Sequence, residues 1–236
     1  MMKIEYKSIG KSIQRRDVLG KINGDAKFCA DISLKDPLSL KVLRSRRHHA
    51  VIENIDMAKA MAIPGVVRVF TAMDIPGKNL TGIINKDQPL LASDKVRSKA
   101  DPVALVAATT DEIALKALAV IDVTYKDLEP IFNIKDALAG DAPKIHEKGN
   151  ILFSRKVKKG DAAATFKDCH TIVEKEYKTH AIEHNYIEPD AGVGYVDEDG
   201  TLVIYASTQN PHYDHKEVVG LLDLEDEQVR IIQAAT

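Results

Sequence analysis

Asp101-Pro102-Val103-Ala104-Leu105-Val106-Ala107-Ala108 is an unbroken apolar run opened by Asp-Pro. Its length and composition predict a buried strand. Thr110 follows as an N-cap for a helix over Asp111–Leu118, and Asp111 and Glu112 suit that helix's positive end. Ile113, Ala114, Ala117 and Leu118 fall on one stripe. Val120-Ile121-Asp122-Val123-Thr124-Tyr125 then alternates apolar and polar residues, the pattern of a strand with one buried face. Strand, helix and strand in this order predict a compact α+β layer.

Toward the N-terminus the same signals recur. Leu38–Ser45 alternates at period two and predicts a strand. Asp56 is placed to cap a short helix over residues 57–62, which Pro64-Gly65 ends. Val66–Thr71 reads as a strand covered on both faces. Met73–Gly77 is a turn, and residues 78–92 are a loop. Lys27–Ile32 is a short strand candidate, and residues 1–26, with Gly10, Gly20 and Gly24, read as an extended arm with turns.

Toward the C-terminus, Ile134–Leu138 predicts a short helix, and Gly140-Asp141-Ala142-Pro143 has the turn-rich composition of a domain boundary. Beyond it, strands are expected over 151–157 and 171–177, with a helix over 162–166 started by Gly160-Asp161. Residues 193–196 and 202–205 flank Asp197-Glu198-Asp199-Gly200, a hairpin signal. Val203–Tyr205 runs into Ala206-Ser207-Thr208-Gln209-Asn210-Pro211-His212, which predicts a strand delivering polar residues to its end. A helix over 213–222 and a last strand over 229–232 close the chain. That strand runs into nothing further, so the chain is expected to be truncated.

Composition narrows the function. The 236 residues carry a net charge of −2, so no overall field favours nucleic acid. Trp is absent and aromatics are 5%, which argues against a stacking platform for single strands. The two cysteines, Cys29 and Cys169, make neither a disulfide framework nor a thiolate metal site. No stretch has membrane-spanning length and no signal peptide opens the chain, so the expected compartment is the cytoplasm.

Each site candidate competes with a plainer role. The amide of Gln209 can donate and accept without adding charge, whereas Ser, Thr and Asn beside it also serve as caps. His180-Ala181-Ile182-Glu183-His184 spells a zinc-peptidase pattern, but that chemistry needs a helix and the flanking residues predict an extended segment. His212 and His215 with Asp214 are half a metal site. Glu183, Glu188 and Asp190 are open as general bases. His48 and His49 should point to opposite faces of a strand, and the Arg44–His49 basic knot reads as a solvated strand end rather than a phosphate contact. No phosphate loop, dinucleotide fingerprint or nucleophile elbow is present.

Several stretches, in order, carry a family resemblance. They are Arg16-Asp17-Val18, Gly24-Asp25-Ala26-Lys27-Phe28, Ile55-Asp56, Pro64-Gly65-Val66-Val67, Asp74-Ile75-Pro76-Gly77, Gln88-Pro89-Leu90-Leu91-Ala92 and Asp101–Ala107. Glu183-His184, Ile187-Glu188-Pro189 and Ser207–His212 complete the series. Together they resemble the start of the molybdenum-binding large subunit of the xanthine dehydrogenase and aldehyde oxidase family.

The resemblance implies an N-terminal arm (1–13), an α/β-hammerhead domain (14–139), a linker (140–150) and the start of a molybdopterin-binding α+β domain (151–236). It implies hydroxylation of a heterocycle or aldehyde, with water as the oxygen source. Molybdenum-molybdopterin would be the cofactor of the complete enzyme but is not expected in this piece. Iron-sulfur clusters and FAD would sit in partner subunits or domains. Gln209 matches the family glutamine that hydrogen-bonds a molybdenum oxo group. No catalytic residue and no protein metal ligand is assigned here, because the family's G-G-G-F-G-G motif and catalytic glutamate lie beyond Thr236. The chain is therefore expected to be an N-terminal piece or a split subunit, inactive alone. Its partners would be the remainder of the subunit, iron-sulfur and flavin subunits and a small-molecule substrate, with a homo-oligomer left open. A docking module without chemistry is the alternative. Relatives carry glycine where this chain has Ala100, which puts that turn in doubt.

Overall fold

Residues 6–186 and 190–235 are described in a computed structural model of the chain. In chain order the elements are α1 (Val18–Asn23), a 3-10 turn (Cys29–Asp31), β1 (Ser39–Arg44), β2 (Ala50–Asp56), α2 (Ala58–Met61) and β3 (Val66–Phe70). A 3-10 turn (Ala72–Asp74), β4 (Lys95–Val96), β5 (Pro102–Ala108), α3 (Asp111–Val120), β6 (Asp122–Asp127) and α4 (Ile134–Ala137) follow. Then come α5 (Ala162–Lys167), β7 (Gly192–Val196), β8 (Leu202–Ala206), α6 (Pro211–Leu222), a 3-10 turn (Asp226–Gln228) and β9 (Val229–Gln233). The fold is α+β. The chain divides into two units, Leu38–Asp74 with Asn79–Ile187, and Met1–Pro37 with Ile75–Lys78 and Glu188–Thr236.

In the first of these units β5 is the organising strand. It lies between β1 and β3, antiparallel to both. Ala104, Val106 and Ala108 turn toward Ala114 and Ala117 of α3 and toward Ala60 and Val69. Val103, on the other face, joins Ala50, Ala92 and Val96 in a second core beside the β4-β2-β6 sheet. Both faces of β5 are thus buried, which explains its continuous apolar run. Small residues at 104, 108, 114 and 117 let the helix sit close on the sheet. Thr110 Oγ1 caps that helix by accepting from Ile113 N–H at 3.2 Å.

The expectation that β3 is covered on both faces is wrong. It is an edge strand, and Val67 is 52% exposed. Its alternating partner Val69 alone is deeply buried. The turn before β5 reaches positive φ without glycine: Ala100 takes φ +78°, a left-handed conformation. It is held there by Ala100 N–H to Ser45 O and Ser45 N–H to Asp101 O, both 2.9 Å. The Asp101 carboxylate also accepts from Arg97 N–H at 2.7 Å.

The other unit is a three-stranded sheet, β7-β8-β9, with β7 antiparallel and β9 parallel to β8. The Asp-Gly hairpin forms as expected, with Asp197 Oδ1 accepting from Asp199 and Thr201 N–H. Two N-terminal expectations fail. Residues 18–23 are helical, ended by left-handed Gly24. Residues 29–31 form a 3-10 turn instead of a strand, because Asp31 Oδ2 accepts from Phe28 N–H and closes a local turn that buries Cys29.

The strands expected over 151–157 and 171–177 do not form. Every residue from 151 to 186 is exposed, and α5, capped by Asp161, is their one regular element. A strand needs a neighbour for its ladder, and none of the described residues pairs with either stretch.

Candidate functional site

The end of β8 sorts the polar cluster into anchors and one spare group. Ser207 N–H donates to Ala191 O at 3.0 Å. Thr208 O accepts from Gln233 Nε2 at 2.7 Å, and its Oγ1 accepts from Asn210 N–H at 3.1 Å. Asn210 Oδ1 caps α6 by accepting from Tyr213 N–H at 3.1 Å, and Pro211 fills the first helical position. The capping role therefore holds for Thr208 and Asn210. Gln209 sits between them, exposed, and its side-chain amide has no partner among the described residues. Neighbours on both sides fix its backbone, so its donors and acceptor are free to meet something else.

Helix α6 behind this end is held at its far end too. Gly77 and Lys78 N–H donate to Leu221 O and Gly220 O at 2.9 and 2.8 Å, satisfying carbonyls that a helix terminus leaves open. A Cβ on Gly77 would lie 2.2 Å from Gly220 O, so only glycine permits this approach.

The remaining candidates do not gather. His180, Glu183 and His184 lie on an exposed non-helical segment, so the zinc-peptidase spacing has no helix to act on. Glu183 and Asp190 are exposed, and Glu188, with Ile187 and Pro189, lies outside the described residues. His215 Nε2 donates to Asp226 O and Val229 O, at 3.0 and 3.1 Å, tying α6 to the start of β9. It is therefore not half of a metal site with exposed His212. Among the described residues no three His, Cys, Asp or Glu side chains converge on a metal position. No described helix is long and apolar enough to cross a membrane.

The basic knot is largely solvated, as expected. Arg44 donates to Ala100 O at 3.0 Å and Arg47 pairs with Asp127 at 3.5 Å, both in exposed positions. His48 and His49 are another matter. They lie in a bend before β2, not on a strand, so the opposite-face expectation fails and both line one cavity. The sequence signal for this was the density of polar residues at 44–49, which breaks the strand pattern.

Two family descriptions match. Residues 23–129 match "Aldehyde oxidase and xanthine dehydrogenase, a/b hammerhead domain", and residues 145–236 match "Molybdopterin cofactor-binding domain". The chain is 47% identical over 232 residues to the nicotinate dehydrogenase large molybdopterin subunit of Eubacterium barkeri, covering 98% of this chain and 55% of that one. It is 38% identical to a probable xanthine dehydrogenase subunit of Bacillus subtilis, covering 93% of this chain and 30% of the relative. It thus spans about half or less of the length of these relatives. Among solved structures, the aldehyde oxidoreductase of Desulfovibrio gigas superimposes with a TM-score of 0.85 at 28% identity, over 93% of this chain and 26% of that one.

Proposed function

This chain belongs to the xanthine dehydrogenase and aldehyde oxidase family, as the N-terminal portion of its molybdenum-binding subunit, and on that premise we propose that it forms one wall of a molybdenum hydroxylase site. Residues 14–139 serve as the hammerhead domain and 151–236 as the beginning of the cofactor-binding region, joined by 140–150. The complete enzyme hydroxylates a heterocycle or aldehyde, with oxygen taken from water. The relative named for nicotinate supports a heterocycle.

The observation that carries this reading is the free amide of Gln209 between two anchored neighbours. An N–H donor on a neutral side chain suits the oxygen of a molybdenum-molybdopterin group, since it stabilises that oxygen without competing as a ligand. The bound group supplies the oxygen-transfer and electron-accepting chemistry. Gln209 orients it, Thr208 and Asn210 hold Gln209 in place, and α6 with its glycine clamp keeps that end of β8 from shifting. Iron-sulfur and flavin partners would take up the electrons, the remainder of the subunit would complete the pocket, and the assembly would work in the cytoplasm. The isolated piece turns nothing over.

Gln209→Ala in the complete enzyme tests this directly. Loss of turnover by at least tenfold, or of bound molybdenum, is the expected result. Unchanged molybdenum content together with unchanged turnover refutes it.

A second reading, a docking module without chemistry, is favoured by the exposed apolar side chains of Phe153, Ile172, Val173 and Tyr177. Molybdenum analysis of the natural complex separates the two, because a docking module leaves the complex free of the metal.

A further inference from the structure

The β8-β9 ladder stops short of Gln209. Its registered pairs end at Ala206 with Gln233, and Ala234 N–H still donates to Ala206 O at 3.0 Å. Ser207 N–H, donating to Ala191 O just before β7, is the last backbone tie before the polar cluster. Past it the sheet no longer fixes the chain. Gln209 makes no hydrogen bond of its own to a described residue, so its place is set by the two peptide planes that flank its Cα.

Each plane is pinned by a side chain. The plane after Gln209 carries Asn210 N–H, which donates to Thr208 Oγ1 at 3.1 Å. The plane before it carries Thr208 O, which accepts from Gln233 Nε2 at 2.7 Å. The first bond is local, a turn that the segment closes by itself. The second reaches across 25 residues, from the strand that lies beside β8. Gln233 therefore continues by side chain the support that the ladder gives by backbone. A peptide unit is rigid, so turning the 208–209 plane changes ψ of Thr208 and φ of Gln209 together and swings the Gln209 side chain. A neutral amide does this without adding charge beside the free one.

We propose that Gln233 is a positioning residue for Gln209: it holds the 208–209 peptide plane and so sets the direction in which the Gln209 amide is offered to a bound molybdenum-molybdopterin group. The inference rests on the reading of Gln209 given above. Gln233 acts only through Thr208 O and touches neither the group nor the substrate in this role. The expected effect is modest. The bond is exposed, so water satisfies Thr208 O once the donor is gone, and a neutral hydrogen bond is worth about three- to tenfold in an equilibrium.

The test uses two variants of the complete enzyme. Gln233→Met keeps an unbranched side chain of similar length and deletes the donor. Gln233→His keeps one, because a neutral ring places Nε2–H the same number of bonds from Cα as the glutamine amide. Amide hydrogen exchange, read by mass spectrometry on enzyme with and without bound molybdenum, should run about threefold faster or more at residues 207–210 in Gln233→Met, with β8 unchanged. Above neutral pH, kcat per bound molybdenum should fall about three- to tenfold with KM unaltered, and Gln233→His should recover most of both losses. Unchanged exchange at 207–210 in Gln233→Met overturns the proposal. So does faster exchange with unaltered kcat where Gln209→Ala still lowers turnover, a result that leaves the reading of Gln209 standing. Gln209→Ala without effect on turnover or molybdenum content fails that reading instead, and the role of Gln233 toward the group falls with it.

Discussion

β5 and the stretch Thr171–Tyr177 are about equally strand-like in composition and end in opposite environments. Val103 and Val106 are fully buried between two cores, whereas Ile172, Val173 and Tyr177 are 58%, 75% and 85% exposed. The difference lies outside the two segments. β5 has a strand on each side and a helix over one face, and 171–177 has neither among the described residues. β-propensity measures how well a residue fits a pleated, half-buried surface, and without that surface it decides nothing.

This contrast can be broken by experiment. Amide hydrogen exchange should show the widest gap, with β5 amides near the protection of global unfolding and 171–177 amides exchanging as in an open chain. Equal protection would mean that the second stretch has a partner after all. Next, Val106→Ala should cost about 2–3 kcal/mol of unfolding free energy in urea titration, the transfer loss plus the cavity it leaves. Ile172→Ala should change it by less than about 0.5 kcal/mol, as surface substitutions do. Removing helix caps sharpens the same comparison: Thr110→Ala should cost about 1 kcal/mol because α3 lies on the core, and Asp161→Ala should leave global unfolding unmoved because α5 does not.

The acid limb belongs to the packed unit. Asp74 accepts from Thr71 N–H and from Arg68, and these interactions hold its carboxyl below the ordinary carboxylate range. A carboxylate whose folded value is depressed lends stability that is complete above the unfolded value, about 3.9, and is lost as pH falls through the folded one. Asp74→Asn should therefore lower Tm near pH 7, where the ionised carboxylate contributes fully, and flatten its fall below about pH 4, with variant and parent converging at the acid limit. The smallest effect is a gain. Ala100→Gly relieves a left-handed alanine and should stabilise by at most about 1 kcal/mol, the entropy of the freer unfolded chain taking part of it back.

How much of this was legible beforehand follows from where each signal acts. The cap at Thr110, the stripe on α3 and the Asp-Gly hairpin are local, and local chemistry determined them. The sidedness of β3 was not local, since which strand lies at an edge depends on pairing that no periodicity records. Asp31 closed a turn where apolar residues suggested a strand, because one side-chain acceptor outweighed a weak pattern. At the β8 end, the neutral amide and the family resemblance singled out Gln209 but left the capping roles of its neighbours open; hydrogen bonds give those roles to Thr208 and Asn210 and leave the Gln209 amide without a partner among the described residues. His48 and His49 escape the alternation rule because the chain bends at both of them.

The glycine clamp on α6 has a bearing on how such proteins can be recombined. Ile75–Lys78 is carried within the sequence of one unit but grouped by contact with the other. The chain therefore does not come apart into two cassettes at a single joint. A chimaera that takes residues 188–235 from one relative and everything before them from another imports a helix whose last carbonyls were fitted to a different tetrapeptide. Any exchange must carry 75–78 along with α6, or keep at least the glycine at position 77.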